Sequence, residues 1–356
     1  MFAQYYQLVY LVFITILTFI VVHSYYEQDS SASLHREGNN LILLLIVIAF
    51  TLFIGLRPIS ETYFYDMASY RFLFERMRGE TYVFDNTVEN LFFDNWLAWL
   101  ASRDINSRAV FVIFAAVYFG MMYLAIKKIF HHNSLLAFLV YLAALSTFAY
   151  GTNGLKAGMA ASTFLVAIAY RDKLWVSIPI ALFTYGQHHA MALVIAAYAL
   201  TLFVKNSKYY FVGWVICLII AALHISYFQI LFAGFTDEHG AEYLLSKENS
   251  GFRLDFILYS AVPIWVGYRM IYKYRIESSM YSFMLNLYLC TNAIWLLCMY
   301  SSFTNRISYL SWFMYPIVLL YPFVELKWSD EQPRYLRYVV YGHLAFTLFM
   351  ALVLKR

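Results

Sequence analysis

The chain has 356 residues, 62% of them hydrophobic and only 13% charged, with a net charge of +4. Soluble globular domains carry about 25% charged residues, so the composition excludes a soluble enzyme and points to a membrane protein. The small positive excess bears on orientation, and nothing in it indicates nucleic acid.

A membrane-crossing helix needs about 20 mostly apolar residues. On that rule the first span covers residues 4–23. Its apolar run, from about Tyr5 to Val22, is too long for a signal-peptide core and lacks a basic start and a small-residue cleavage site, so it reads as a retained span. Further spans fall near 40–56, 107–126, 133–149, 154–170, 174–186, 189–204, 209–229, 254–272, 280–299, 308–324 and 336–354, about twelve in all. No fixed-period repeat or low-complexity linker divides them, so the sequence predicts a single all-α, polytopic transmembrane domain over residues 1–356.

Between the second and third spans, residues 57–106 form a long external segment. Within it, Tyr63–Met77 and Leu91–Leu100 place aromatic and aliphatic residues at helical spacing among charges, the pattern of helices lying in the membrane interface. They are expected to roof the external face. On the 154–170 span, Gly154, Gly158 and Ser162 recur every four residues, a spacing that lets helix backbones approach closely in lipid. Cys217, Cys290 and Cys298 all lie in apolar runs without Cys-x-x-Cys spacing and read as packing residues.

Loop charge sets the orientation. Lys127 and Lys128, Arg171 and Lys173, Lys205 and Lys208, Arg269, Lys273 and Arg275, and Lys327, Arg334 and Arg337 share one side. The opposite side over the same half of the chain has only Lys156, Lys247, Arg253 and Arg306, so the first side is cytoplasmic. The 57–106 segment departs from this bias, but its arginines are offset by Glu61, Asp66, Glu75, Glu80, Asp85, Glu89, Asp94 and Asp104.

This orientation gathers a polar set at external span ends: Arg57, Asp66, Asn153, Lys156, Gln187, His188, His189, Arg253, Asp255, Asn305 and Arg306. Ionisable side chains are costly inside a membrane and are kept for span ends, cavities or a task. Any one arginine could be an interfacial anchor that snorkels to head groups. Several cations on one face suit a phosphate or pyrophosphate, which guanidinium groups grip by charge and by a planar fork, and an anionic lipid-linked substrate is the natural candidate. His188 and His189 are candidate proton acceptors at neutral pH, with Asp66 and Asp255 as alternatives. The bland role for the histidines is a polar helix break, and for Asp255 it is a salt bridge orienting Arg253. No His-x-x-x-His pair or carboxylate cluster marks a metal site, so metal-independent chemistry with no cofactor is expected.

Several of these positions sit in motifs. Gly251-Phe-Arg253-Leu-Asp255-Phe-Ile-Leu-Tyr-Ser resembles the Gly-Phe-Arg-Trp-Asp-Phe-Leu-Leu-Tyr-Ser segment of EpsG-family, Wzy-like polysaccharide polymerases. Gly55-Leu-Arg57 with Asp66 and Tyr70, His189-Ala-Met-Ala-Leu193, and Thr304-Asn305-Arg306-Ile307 with Tyr309 are similar to further elements of that family in the same order. Asn153-Gly-Leu-Lys156-Ala-Gly158 resembles its Leu-Arg-Gln-x-x-Ala motif, with Lys156 in place of the arginine and Gly158 departing as well.

The resemblance implies a GT-C-like helical bundle in the bacterial inner membrane that joins oligosaccharide units carried on undecaprenyl diphosphate at the periplasmic face. It implies Arg57, Lys156, Arg253, Arg306, Asn153 and Asn305 as substrate contacts, and His189, His188, Asp66 and Asp255 as candidates for the chemistry. A flippase and a chain-length regulator are the expected partners. A lipid-linked oligosaccharide flippase or an O-antigen ligase is the alternative function.

Overall fold

The computed structural model describes residues 3–27, 34–225, 227–233, 242 and 251–354; Lys247 lies outside them. The regular elements are helical, and no strand occurs among the described residues. In hydrocarbon every backbone N–H and C=O has to be satisfied by the protein itself, and a helix does this within one segment.

The chain forms two compact units, residues 1–191 with 340–356, and residues 192–339. The first contains α1 (Tyr6–Glu27), α2 (Leu34–Gly55), α3 (Tyr65–Met77), α4 (Leu91–Ser102), α5 (Ser107–Phe130), α6 (Ser134–Leu142), α7 (Leu145–Thr152), α8 (Leu155–Ala169) and α9 (Leu174–Gln187). α10 (Met191–Phe203) begins at the boundary. The second unit continues with α11 (Ser207–Ala222), α12 (Tyr227–Ala233), α13 (Leu254–Tyr268), α14 (Ser279–Leu297), α15 (Thr304–Trp312) and α16 (Tyr315–Val324). α17 (Gln332–Phe349) returns to the first unit from Val340 onward.

Among the described residues, six helical runs are long and apolar enough to cross a membrane: Ala3–Ser24, Ser107–Leu142, Leu254–Lys273, Ser279–Leu297, Thr304–Val324 and Gln332–Leu354. Asn40–Gly55, Leu155–Ala169, Met191–Phe203 and Ser207–Ala222 are apolar but shorter. The two helices expected in the external segment are present as α3 and α4.

Six runs among the described residues have spanning length where the sequence predicted about twelve spans, and three of the predicted spans show how the helices depart from them. The 133–149 span is two short helices, α6 and α7, broken at Ala143–Ala144. A break frees carbonyls that hydrocarbon cannot solvate. Here the Thr147 hydroxyl donates to Tyr141 O at 2.6 Å and the Tyr10 hydroxyl to Leu142 O at 2.8 Å. The 209–229 span ends at Ala222, where His224 takes a positive φ of 55°. The 308–324 span starts earlier, at Thr304, and bends between α15 and α16.

In the first unit α5 packs on α2 and α8, and α8 on α9. Glycine permits the close contacts. A Cβ on Gly158 would lie 2.9 Å from Tyr150 Cβ and 3.0 Å from Tyr150 O, so the small-residue spacing serves the α7–α8 packing. In the second unit a buried polar hub joins four helices. The Asn292 amide donates to Ser260 Oγ and Ser311 Oγ, each at 3.0 Å, and accepts from Trp214 Nε1 at 2.8 Å. Trp312 Nε1 donates to the same Ser260 Oγ at 2.8 Å. Polar groups in a span find partners in neighbouring helices, and this hub fixes α11, α13, α14 and α15 against one another.

Candidate functional site

Several of the candidate residues fall into one cluster in each unit. In the first unit, α9 ends where His188 turns to extended backbone, at φ −155° and ψ 115°. His188 N–H donates to Thr184 O at 2.9 Å, and Ala190 N–H donates to His188 Nδ1 at 3.2 Å. The His188 ring is therefore built into the turn, with Nδ1 as an acceptor.

His189 faces the start of α4. Its backbone N–H donates to Asn90 Oδ1 at 3.1 Å, and its Nδ1 lies 2.7 Å from Glu89 Oε1 and 3.4 Å from Asn90 Oδ1. Two oxygen acceptors at Nδ1 hold the proton there, so the neutral ring carries its lone pair on Nε2. The His189 side chain is 23% exposed and that of Glu89 38%, whereas Asn90 is 1% exposed.

The contact continues along α4. Asp94 Oδ2 accepts from Asn90 N–H at 3.0 Å and from its amide at 3.4 Å. Asp94 Oδ1 is 3.9 Å from Lys156 Nζ at the start of α8, which lies 5.6 Å from the Phe93 ring and 6.0 Å from the Tyr70 ring. Packing sets this register: Phe92 stacks on Phe183 at 4.7 Å and occupies the space beside Gly186, where a Cβ would meet it at 2.1 Å. The missing side chain at Gly186 thus lets the start of α4 reach the histidine turn.

Other candidates of this unit are placed differently. Arg57 is 3% exposed, and its Nη1 and Nη2 donate to Ile54 O at 2.6 Å and Thr152 O at 2.7 Å. Its guanidinium also lies near the Phe64 and Phe111 rings. Burial pulls its pKa down to about 10, so it remains charged at neutral pH. In this geometry Arg57 clamps the C-terminal ends of α2 and α7 and presents little surface to a head group. Asp66 sits in the first turn of α3, where a carboxylate favours the helix dipole. Asn153 donates to Tyr63 O at 3.4 Å.

A cavity of about 520 Å³ beside α3 and the start of α5 lies apart from these groups and is lined by Arg71, Glu75, Arg78 and Arg108, among others. Two of its charges are met locally. Arg78 pairs with Asp104 at 2.6 Å and with Glu75 at 3.4 Å, and a hydrogen bond from Ser107, then Arg78, holds the Glu75 carboxyl below its ordinary range.

In the second unit, Arg253 precedes α13 and grips Asp255 with a two-pronged contact, Nε to Oδ1 at 2.9 Å and Nη2 to Oδ2 at 2.7 Å. The guanidinium lies 3.6 Å from the Phe256 ring centre. Arg306, in the first turn of α15, is exposed and sits over the Phe303 ring at 5.1 Å. The charges of both arginines reach the Tyr309 hydroxyl, which the Asn305 side chain also contacts. Phe303 itself has a left-handed φ of 52°, a strained conformation for a bulky residue, costing about 1–3 kcal/mol. Trp295 Nε1 donates to Thr304 Oγ1 at 2.9 Å and pins this start of α15. Among the described residues no three His, Cys, Asp or Glu side chains come together as metal ligands.

Sequence reasoning missed Glu89, Asn90 and Asp94 as site residues and counted the two acids only as charge balance. An acidic and amide pair ahead of an apolar helix is a helix-start signal. Which distant histidine it meets is decided by packing at Gly186.

An all-helical architecture among the described residues, with several helices fit to cross a bilayer, defines a polytopic membrane protein. The chain belongs to the EpsG family, whose model matches residues 40–355; this is a Wzy-like, polymerase-type family. No curated protein and no solved structure matches the chain.

Proposed function

We propose that this protein polymerises undecaprenyl-diphosphate-linked oligosaccharide repeat units into O-antigen, capsular or exopolysaccharide at the periplasmic face of the bacterial inner membrane. The observation that carries the proposal is the EpsG family match over nearly the whole chain. The proposal includes about twelve crossings in a GT-C-like arrangement and one polytopic domain.

In the reaction an acceptor hydroxyl attacks the anomeric carbon of the donor sugar, and the bond from that carbon to the diphosphate oxygen breaks with its electron pair on the oxygen. Arg253 and Arg306 bind the departing diphosphate, an electrostatic contribution of the kind that dominates many enzymes. Arg253 arrives already oriented by Asp255. His189 takes the acceptor proton on Nε2, and Lys156 with Asn153 and Asn305 contacts substrate.

The test uses a strain lacking the gene, complemented with Arg306→Lys. Lysine keeps the charge and loses the fork, and one lost charge-assisted bond in the transition state costs about 2–4 kcal/mol, so polymer should nearly vanish at normal protein level. Flipped single units are still ligated to the outer-membrane acceptor and should appear as a one-unit product. Absence of that product with the flippase gene intact would reject polymerisation and favour a flippase.

A further inference from the structure

We propose that Glu89 is the positioning carboxylate of His189. It fixes the Nδ1–H tautomer, aims Nε2 at the acceptor hydroxyl and stabilises the imidazolium that forms when the proton arrives. The inference rests on the polymerase assignment and on His189 as its proton acceptor.

Three observations support it. Glu89 Oε1 is 2.7 Å from His189 Nδ1, the length of a charge-assisted hydrogen bond. The neighbouring Asn90, 1% exposed, accepts from the His189 backbone N–H and contacts the same Nδ1, so the ring and the carboxylate are referenced to one rigid residue. Asn90 is in turn held by Asp94, which faces Lys156. The loop before α4 therefore carries a carboxylate and an amide that both address one side of a histidine on another segment, 99 residues away for Asn90. A surface ion pair formed by chance needs no buried amide behind it.

The proton balance is simple. The acceptor O–H proton passes to Nε2 as the bond to the anomeric carbon forms, the diphosphate leaves with the electron pair, and His189 becomes a cation beside the Glu89 anion. Release of the proton to water restores the neutral ring. The charged and titratable groups facing His189 include Glu89 from the α4 start, His188 from its own turn with ring centres 5.2 Å apart, and, behind Asn90, Asp94 with Lys156.

An anionic partner raises the pH at which an imidazole loses its proton, and removing it lowers that pH. The test uses the full-length protein in membranes from the complemented strain. The first readout is carbethoxylation of His189 by diethyl pyrocarbonate against pH, read by mass spectrometry separately from His188. In Glu89→Gln the midpoint should fall by roughly half a pH unit or more, a modest shift because the pair is partly exposed. The second is polymerisation of the strain's own lipid-linked units. Glu89→Gln should lose about 10- to 100-fold in rate at neutral pH, part of what a positioned base contributes. The acidic limb of its pH profile should move down with the midpoint. Glu89→Asp, which keeps the charge, should keep the wild-type limb.

A Gln variant with the wild-type midpoint, or with a lowered midpoint and the wild-type rate, overturns the role of Glu89 while His189→Ala can still be inactive. An active His189→Ala variant removes the base assignment itself. The two failures are thus told apart.

Discussion

Replacing Arg57 with methionine separates two roles for this residue. As a diphosphate ligand, Arg57 would be dispensable for folding; as the clamp seen in the structure, it would be a stability residue. The clamp consists of two short hydrogen bonds, 2.6 Å to Ile54 O and 2.7 Å to Thr152 O, from a side chain 3% exposed. Hydrogen bonds to charged groups are worth about 1.5–3 kcal/mol each, so the gross loss is about 3–6 kcal/mol. Methionine also removes the cost of burying a cation, the same effect that pulls the Arg57 pKa down to about 10, which returns part of that loss. A net destabilisation of about 2–4 kcal/mol remains, enough to lower the melting temperature by about 3–5 °C in a chain of this size. Arg57→Lys keeps the charge and reaches one carbonyl, so it should fall between. The assay is thermal unfolding of the detergent-purified protein followed by gel filtration, with membrane abundance as a second measure. A methionine variant with wild-type melting and abundance that makes no polymer would refute the clamp and return Arg57 to the substrate.

Gly186→Ala should cost far more activity than abundance, because its methyl group would meet Phe92 at 2.1 Å and push the start of α4 away from His189; adding Phe92→Leu should restore much of the polymer, and failure of that rescue would detach Gly186 from the site. Asn292→Leu removes three hydrogen bonds, and at about 0.6 kcal/mol each for a span-embedded bond it should lower stability by about 2 kcal/mol, read as a fall in melting temperature. An unchanged melting temperature would mean that the hub does not hold α11, α13, α14 and α15 together.

The long helices were legible in the sequence because a bilayer leaves an apolar run little choice of conformation. α3 and α4 were legible too, since aromatic residues at helical spacing carry that signal even among charges. The break between α6 and α7 was not. Leu142-Ala-Ala-Leu145 is made of good helix formers, and what holds it open is the Tyr10 hydroxyl, 132 residues away in sequence. Of the site, His188 and His189 stood out as a polar interruption, and Arg253 with Asp255 as a salt bridge, which the structure forms. Glu89 did not stand out, because its role depends on a glycine and a phenylalanine whose contact no local pattern announces. Arg57 shows a further case: no local pattern announces that a cation at a span end donates to the carbonyls of two helix ends, Ile54 and Thr152.

The broken helices bear on the choice between polymerase and flippase. Transporters commonly use unwound helix ends near the bilayer midplane, where freed carbonyls and half-helix termini coordinate substrate or a coupling ion. At the α6–α7 break those carbonyls are already engaged, Tyr141 O by Thr147 and Leu142 O by Tyr10. At the α15–α16 bend the ladder barely opens, since Phe313 N–H still reaches Tyr309 O at 3.2 Å and Met314 N–H reaches Ser311 O at 3.0 Å. The hub at Asn292 likewise spends both amide donors and its oxygen on neighbouring side chains. Each of these in-span polar features is matched by a partner from the chain itself. His189 with Glu89 stands at the turn between α9 and α10, and Arg253 and Arg306 stand at the starts of α13 and α15. On the proposed polymerase reading, substrate is met by these helix-end groups and not by the matched polar groups at the two breaks and the hub.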